Sequence, residues 1–309
     1  MKSMKWMIVG SLAVAMVAVG CKKETSSGGT VPVTQNPLRQ IFNDNVENAK
    51  QTFTVQANTG GQVQGQDGVT AFFAPNAFMR QNGTVATGAV QVELIEALNV
   101  ADMVWLNKQT LGNDNGQMKP LISGGQYYMN ATQNGEQLWL ATGSTTVLVP
   151  APNGVDPNMG LFIGDVDADG TIVWDPFANP DLAMDSSAFV IGEDTLDWVN
   201  CDYFMNGGVQ TSVQVTCPAG HNEDNTFVWL VFPDQNAMTA IHNTSGSVFS
   251  TGSYYTLPVG MNMIVVAISQ INGVVSSSFT STTISANMNQ TIQLSPTTLA
   301  EFQSDLGTM

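Results

Sequence analysis

After Lys119 this sequence contains no lysine and no arginine. The 309 residues hold 9 Lys+Arg against 25 Asp+Glu, a formal net charge of −16. Nucleic-acid binding needs cations to neutralise phosphates, so a chain this poor in them is excluded from that class. A lysine-bearing phosphate loop, a Schiff-base lysine or an arginine clamp cannot be built from residues 120–309. A basic patch for anionic lipid headgroups is equally excluded there. Histidine is almost as scarce, with His221 and His242 alone. Neither Gly-x-Ser-x-Gly nor His-Glu-x-x-His occurs to focus the many hydroxyls into a catalytic set. What a carboxylate surplus can do is keep the chain soluble and collect divalent cations. The expectation is a protein that is not an enzyme.

Long apolar runs are also missing. The longest uncharged one, Trp6 to Val19, falls short of the about 20 residues that a membrane-spanning helix needs. It follows Lys2 and Lys5 and closes on Val17-Ala18-Val19-Gly20-Cys21. Basic, then apolar, then small residues ending at a cysteine is the order of a bacterial lipoprotein signal. Cleavage before Cys21 and lipid attachment to its thiol are therefore expected, although Ala18 stands where such signals most often carry leucine. An uncleaved anchor or a plain secretory signal are the alternatives, and each still places the rest of the chain outside the cytoplasm. The expected location is the cell envelope, at the outer membrane, with the membrane a partner through the lipid.

Cysteine is sparse beyond that residue. Cys201 and Cys217 invite a disulfide in an oxidising compartment. Were residues 198–204 and 209–215 a hairpin turning at Asn206-Gly207-Gly208, Cys201 would face Ser212. Cys217 would then lie about 16 Å along the strand, beyond disulfide reach. A wider loop or another register would restore the bond.

Residues 1–20 thus read as the signal and 21–48 as a polar tether ending in a short helix. That helix is expected from Pro37 to Lys50, with Leu38, Ile41, Phe42 and Val46 on one face. From Gln51 the texture turns to short alternating strands broken by Gly, Asn and Asp. Residues 49–150 read as one β-sandwich domain and 151–195, rich in Asp, Pro and Asn, as a loop-rich connection with one hairpin. Residues 196–309 read as a second β-sandwich domain. Within it, Phe227–Phe232 is an apolar run expected to be buried on both faces, and Asn272-Gly273 is a strong hairpin turn. A capped helix starting at Thr298-Leu299-Ala300-Glu301 closes the chain. The fold class is mainly β: two sandwich-like domains in series with short terminal helices.

Residues 53–78 run Phe53-Thr54-Val55-Gln56-Ala57, Gly60-Gly61, Gly68-Val69 and Ala74-Pro75-Asn76-Ala77-Phe78, followed by Val90 and Val92-Glu93-Leu94. This order resembles the opening of the ZU-five-type β-sandwich module of ankyrins and netrin receptors. Ala101–Val104, Leu121–Gly125, Asn134–Leu138 and Leu196–Phe204 resemble blocks of a Bacteroidota-type envelope lipoprotein family carrying such a module, with Asp197 and Tyr203 atypical. The resemblance implies envelope-facing scaffolding through surfaces, and it brings no catalytic site. Asp194-Thr195-Leu196 also resembles the envelope O-glycosylation acceptor of such bacteria, with Thr195 the acceptor.

The sharpest local motif is Asp165-Val166-Asp167-Ala168-Asp169-Gly170-Thr171-Ile172. Carboxylates at alternate positions before a glycine match the first two-thirds of a calcium loop, with Asp165, Asp167 and Asp169 as ligands and calcium the one cofactor to consider. The twelfth position is Pro176, where such a loop needs a bidentate Glu. The competing reading is a hairpin turning at Asp169-Gly170, with Ile172 and Trp174 facing the core. Cys217, His221 and Glu223 could form a metal set, but at a spacing that fits no zinc pattern. Trp105, Trp139, Trp174, Trp198 and Trp229 could line a sugar-binding face, although most sit in apolar strand patterns that read as core. The functional expectation is a lipid-anchored envelope protein with a structural or binding role and an envelope protein or glycan partner. Its rivals are a carbohydrate- or polymer-binding lipoprotein, marked by solvent-facing Trp or Tyr beside carboxylates, and a metal-dependent hydrolase, marked by three converging metal ligands.

Overall fold

The longest strand, Gln117–Gln133, organises the structure. The computed structural model describes residues 36–151, 154–167, 170–177, 182–185 and 187–309. The signal 1–20, Cys21 and the polar tether therefore lie outside the described residues. Gln117–Gln133 pairs with Ala89–Ala97 on one side and Trp198–Phe204 on the other, inside an eight-stranded sheet. At its centre Gly124 and Gly125 lie opposite the single residue Cys201, a two-against-one bulge. The glycines are required there. A Cβ on Gly124 would meet the Phe189 ring at 2.7 Å and the Cys201 carbonyl oxygen at 3.0 Å, and Gly125 sits at φ +118°.

Two pairs of sheets follow from the alternating patterns. The eight-stranded sheet shares a core with a five-stranded sheet ordered Leu182–Met184, Ala188–Gly192, Thr145–Pro150, Thr70–Phe73 and Gly61–Gln64. Val92, Leu94, Tyr127, Met129, Val147, Val149, Phe189 and Ile191 fill it. The second pair sets a five-stranded sheet (Ala237–Ala240, Thr226–Phe232, Asn262–Ile271, Val274–Thr283, Ser295–Pro296) against a four-stranded one, Asn243–Ser245, Val248–Ser250, Val213–Thr216 and Met288–Thr291. Its core includes Val213, Val228, Leu230, Phe232, Phe249, Val265 and Ala267.

A third apolar cluster joins the pairs. Helix α1 (Pro37–Ala49) gives it Leu38 and Phe42, α2 (Val100–Trp105) gives Met103 and Val104, and α3 (Leu299–Leu306) gives Phe302 and Leu306. These pack with Phe162, Trp174 and Trp198 of the eight-stranded sheet and with Trp229, Val231 and Val266 of the second five-stranded sheet. Thr226–Phe232 is buried on both faces for this reason, its side chains alternating between two cores. The Asn36 side chain accepts from the Leu38 N–H to start α1, and Thr298 and Glu301 form the expected capping box of α3.

The mainly β class is as expected, but the boundaries drawn at 150 and 195 cut across both sheets of the first pair. Gly160–Val166 and Ile172–Phe177 belong to the eight-stranded sheet, while Leu182–Met184 and Ala188–Gly192 belong to its partner. Turn-rich composition concealed these short strands. Trp198–Phe204, assigned to the second domain, lies between Gln117–Gln133 and Gly160–Val166 because Val199 and Cys201 face the first core. The two sheet pairs share one buried cluster and one compact unit, in place of two domains simply in series.

The cysteine expectation is corrected on the same grounds. The hairpin at Asn206-Gly207-Gly208 does not form, because Val213–Thr216 pairs with Val248–Ser250 and Met288–Thr291. Cys201 is buried in the first core and Cys217 in that of the second pair, and both thiols are free. Burial pushes both thiols above their ordinary range, Cys217 to about 12. Reductant is therefore expected to leave the melting temperature unchanged, and neither thiol should react with a maleimide until the chain unfolds. A reductant-dependent melt would show that the two sulfurs had been bridged.

Candidate functional site

A tight turn at Asn134-Gly135, both at positive φ, returns the chain from Gln117–Gln133 into Glu136–Gln137 and Trp139–Leu140. Alternation then buries Leu138 and Leu140 and directs Trp139 outward, where it is 63% exposed. Trp174 and Trp229 are fully buried and Trp198 nearly so, with Trp105 half-buried. Trp139 is thus the one tryptophan of the five that faces solvent broadly.

Beside it opens a cleft of about 540 Å³, lined also by Tyr128, Asn130, Gln137, Asp194, Thr195, Leu196 and Asp197. Tyr128 and Asn130 come from Gln117–Gln133. Tyr127 and Met129, their neighbours in sequence, point the other way into the first core. The Gln137 amide donates to Asn130 Oδ1 at 2.6 Å, and the Asn130 amide donates to Glu93 Oε2 at 3.2 Å. Lys50 Nζ lies 3.8 Å from Glu93 Oε1. The Tyr128 ring packs 5.6 Å from Trp198, and the Lys108 ammonium sits 5.5 Å from the same indole. Burial lowers the Lys108 amine to about 8, with Asp167 opposing the shift.

The other wall, residues 194–197, links Ala188–Gly192 to Trp198–Phe204 and is held from beneath. Glu193, 2% exposed, accepts from the Tyr127 hydroxyl at 2.6 Å and from the Thr195 N–H at 2.8 Å. Burial raises this carboxyl to about 7 despite both hydrogen bonds. Burial likewise pushes the Tyr127 phenol well above its ordinary range, Glu193 adding to the effect. Asp194 Oδ1 accepts from the Gly143 N–H at 2.8 Å. Asp197 Oδ1 accepts from the Trp198 N–H at 2.8 Å, and its partial burial raises its carboxyl, with Asp165 adding to the shift. Burial first, then Glu93 and Asp197, raises Tyr128. The cleft therefore combines aromatic surface, amide groups and carboxylates, a set that can stack on a ring face and bond to hydroxyls.

Of the expected site residues, Thr195 lies in this cleft, half-buried. Of the calcium-loop residues, Asp165 lies in the strand Gly160–Val166, which pairs with Ile172–Phe177 as a hairpin. Asp167 Oδ1 accepts from the Thr171 N–H, Asp165 is exposed, and Asp169 lies outside the described residues. Ile172 and Trp174 are fully buried, as the hairpin reading requires. His221 Nδ1 lies 3.0 Å from Ser269 Oγ, Glu223 accepts from Thr244, and Cys217 is in the core, so these three do not meet. Among the described residues no group of three His, Cys, Asp or Glu converges as metal ligands.

Sequence reasoning missed the convergence of Tyr128, Asn130, Gln137, Asp194 and Asp197. One signal was present: Leu138-Trp139-Leu140 is a strand pattern in which the middle residue must face away from its buried neighbours. No protein-family model matches this chain, and no curated protein does.

Proposed function

We propose that this protein is a lipid-anchored, non-catalytic component of the cell envelope that binds carbohydrate in the Trp139 cleft. The observation that carries the reading is Trp139 itself. A large indole left 63% exposed beside Asp194 and Asp197 forgoes burial of roughly 2 kcal/mol. That loss is offset when a ligand with an apolar face covers the ring. Sugars present such faces together with hydroxyls, which the Asn130 and Gln137 amides and the two carboxylates match. The same carboxylates, with Glu93 behind Asn130, repel acidic sugars, so the ligand class is neutral or amino sugars.

The anchor rests on the basic, apolar and small-residue order ending at Cys21. The envelope scaffolding role follows from the likeness to the ZU-five-type module, and the mainly β fold is compatible with both. No helix among the described residues is long and apolar enough to cross a membrane.

An array of neutral, amino and acidic oligosaccharides tests the reading. Binding is expected among the neutral and amino members, and Trp139→Ala should weaken it about tenfold or more, roughly 1.4 kcal/mol. The melting temperature should stay within a degree or two, because the ring is mostly outside the core. Failure of every oligosaccharide to bind, or undiminished binding by the variant, would remove the carbohydrate reading.

A further inference from the structure

The second five-stranded sheet ends in an edge that is paired along only part of its length. Val274–Thr283 pairs along its full ten residues with Asn262–Ile271, in a regular register around the Asn272-Gly273 turn. On its outer side only Ser276 and Ser277 have partners, Pro296 and Ser295, with Val275 O accepting from the Thr297 N–H. Backbone groups alternate in direction along an antiparallel strand. Since Val275 O points outward, the N–H and C=O groups of Phe279, Ser281 and Thr283 do so too, and among the described residues no strand pairs with them there.

Natural sheets blunt such edges with lysine, proline, inward charges, bulges or shortness. Residues 278–283 use none of these: the segment is Ser-Phe-Thr-Ser-Thr-Thr. Charge is missing over a wider region. Between Gln235 and Ala300 there is no Asp, Glu, Lys or Arg, in a chain of formal net charge −16. Two such acidic bodies repel each other over most of their surfaces, but this edge carries no charge of its own. Asp305 is the one carboxylate lining the adjoining slot beside Ser277 and Thr280.

We propose that this edge pairs with the same edge of a second copy of the chain, antiparallel about a two-fold axis at Ser281. The register is self-complementary. A two-fold at Ser281 sets Phe279 against Thr283 of the other copy and Ser281 against itself, and all three residues direct donor and acceptor outward. Six main-chain hydrogen bonds form, and two five-stranded sheets become one of ten. A two-fold contact of this kind closes on itself and stops at a dimer. On the proposed lipid anchor, membrane tethering of both copies raises their effective concentration, so a contact of modest area suffices.

Disulfide trapping in cells that express the full chain tests this. Ser281→Cys is expected to give a single crosslinked species of twice the chain mass under mild oxidation, since paired Cα atoms on the axis stand about 5.5 Å apart. Val274→Cys, 54% exposed but far from the axis, should give none. Light scattering of the full chain in detergent should then show a dimer that is lost in Ser281→Pro. Proline there removes only an outward N–H and leaves the ladder to Asn262–Ile271 intact, which circular dichroism and an unchanged melt would verify. Association caused by the micelle alone would survive that substitution. A dimer that persists in Ser281→Pro, a monomer at high protein concentration, or a Ser281→Cys adduct with a different protein would each overturn the proposal.

Discussion

Replacing Trp229 by alanine is expected to cost about 4 kcal/mol, within the range of large aromatic deletions from packed cores. It is expected to lower the stability of both sheet pairs together. The indole is fully buried, stacks on Phe227 at 5.8 Å and meets Phe42 of α1 edge-on at 5.5 Å. Its Nε1–H donates to Asn107 Oδ1 at 3.0 Å, just beyond α2, so the deletion also leaves that acceptor without its partner. Trp229 thus ties the second five-stranded sheet to two of the three helices in the shared cluster, and through that cluster to Trp174 and Trp198 of the eight-stranded sheet. Denaturant unfolding followed by far-ultraviolet dichroism and by tryptophan fluorescence should give coincident transitions in wild type and variant. Two separated transitions, with only one displaced, would mean that the sheet pairs fold independently and that the shared cluster is a weak contact. Trp229→Phe keeps most of the packing and should lose well under half as much.

Why the pairing of sheets escaped the sequence can be seen at Trp198–Phe204. A strand there was legible, with its first five residues buried. The pattern says which side chains share a face but not which sheet that face belongs to. Two cores were open to it, and Val199 and Cys201 enter the first while Trp198 enters the shared cluster. The elements that were legible end to end are those whose signals are local. Pro37–Ala49 has its cap and period, Thr298 and Glu301 satisfy each other three residues apart, and Asn272-Gly273 dictates its own turn. Helix α2 went unread because it has only six residues, too few for a period, although Asn99 caps it by accepting from the Asp102 N–H.

The cleft has the same limitation. Trp139 could be placed outward from Leu138 and Leu140, yet Asp194 and Asp197 come to it from more than fifty residues away, across a sheet pairing that no local pattern encodes. The carboxylates themselves offered no guide, since the chain has 25 Asp and Glu spread along its length. The aspartate triplet at 165–169 drew attention by spacing alone. Its hairpin supplies a local partner to Asp167 through the Thr171 N–H, which is a turn device.

Glu193 supplies the second large effect, a pH dependence with a definite sign. Its carboxyl ionises near 4.5 in the unfolded chain and at about 7 in the folded protein, raised by burial. Between those values the folded state holds a proton that the unfolded state has released. Stability therefore falls as pH rises from about 4.5 to about 7 and then levels, the total loss from this group being on the order of 3 kcal/mol. Asp202, fully buried and also raised by burial, and Asp102, raised to about 6, act in the same direction. The measurement that isolates Glu193 is thus the difference between wild type and Glu193→Gln. The glutamine carbonyl keeps the Thr195 N–H, its amide can donate to the Tyr127 oxygen, and no charge has to be buried at high pH. Wild type and variant should be close in stability at pH 4.5, with the variant ahead at pH 8 and the gap opening between pH 5 and 7. A gap independent of pH would mean that the carboxyl titrates near its ordinary value. Glu193→Ala separates charge from architecture: it removes the titration too, but it strands the Tyr127 hydroxyl and the Thr195 N–H. It should fall below Glu193→Gln at every pH by about 1–3 kcal/mol. Because residues 194–197 lose their tie to the core with it, sugar binding in the Trp139 cleft should fall in the alanine variant and persist in the glutamine one.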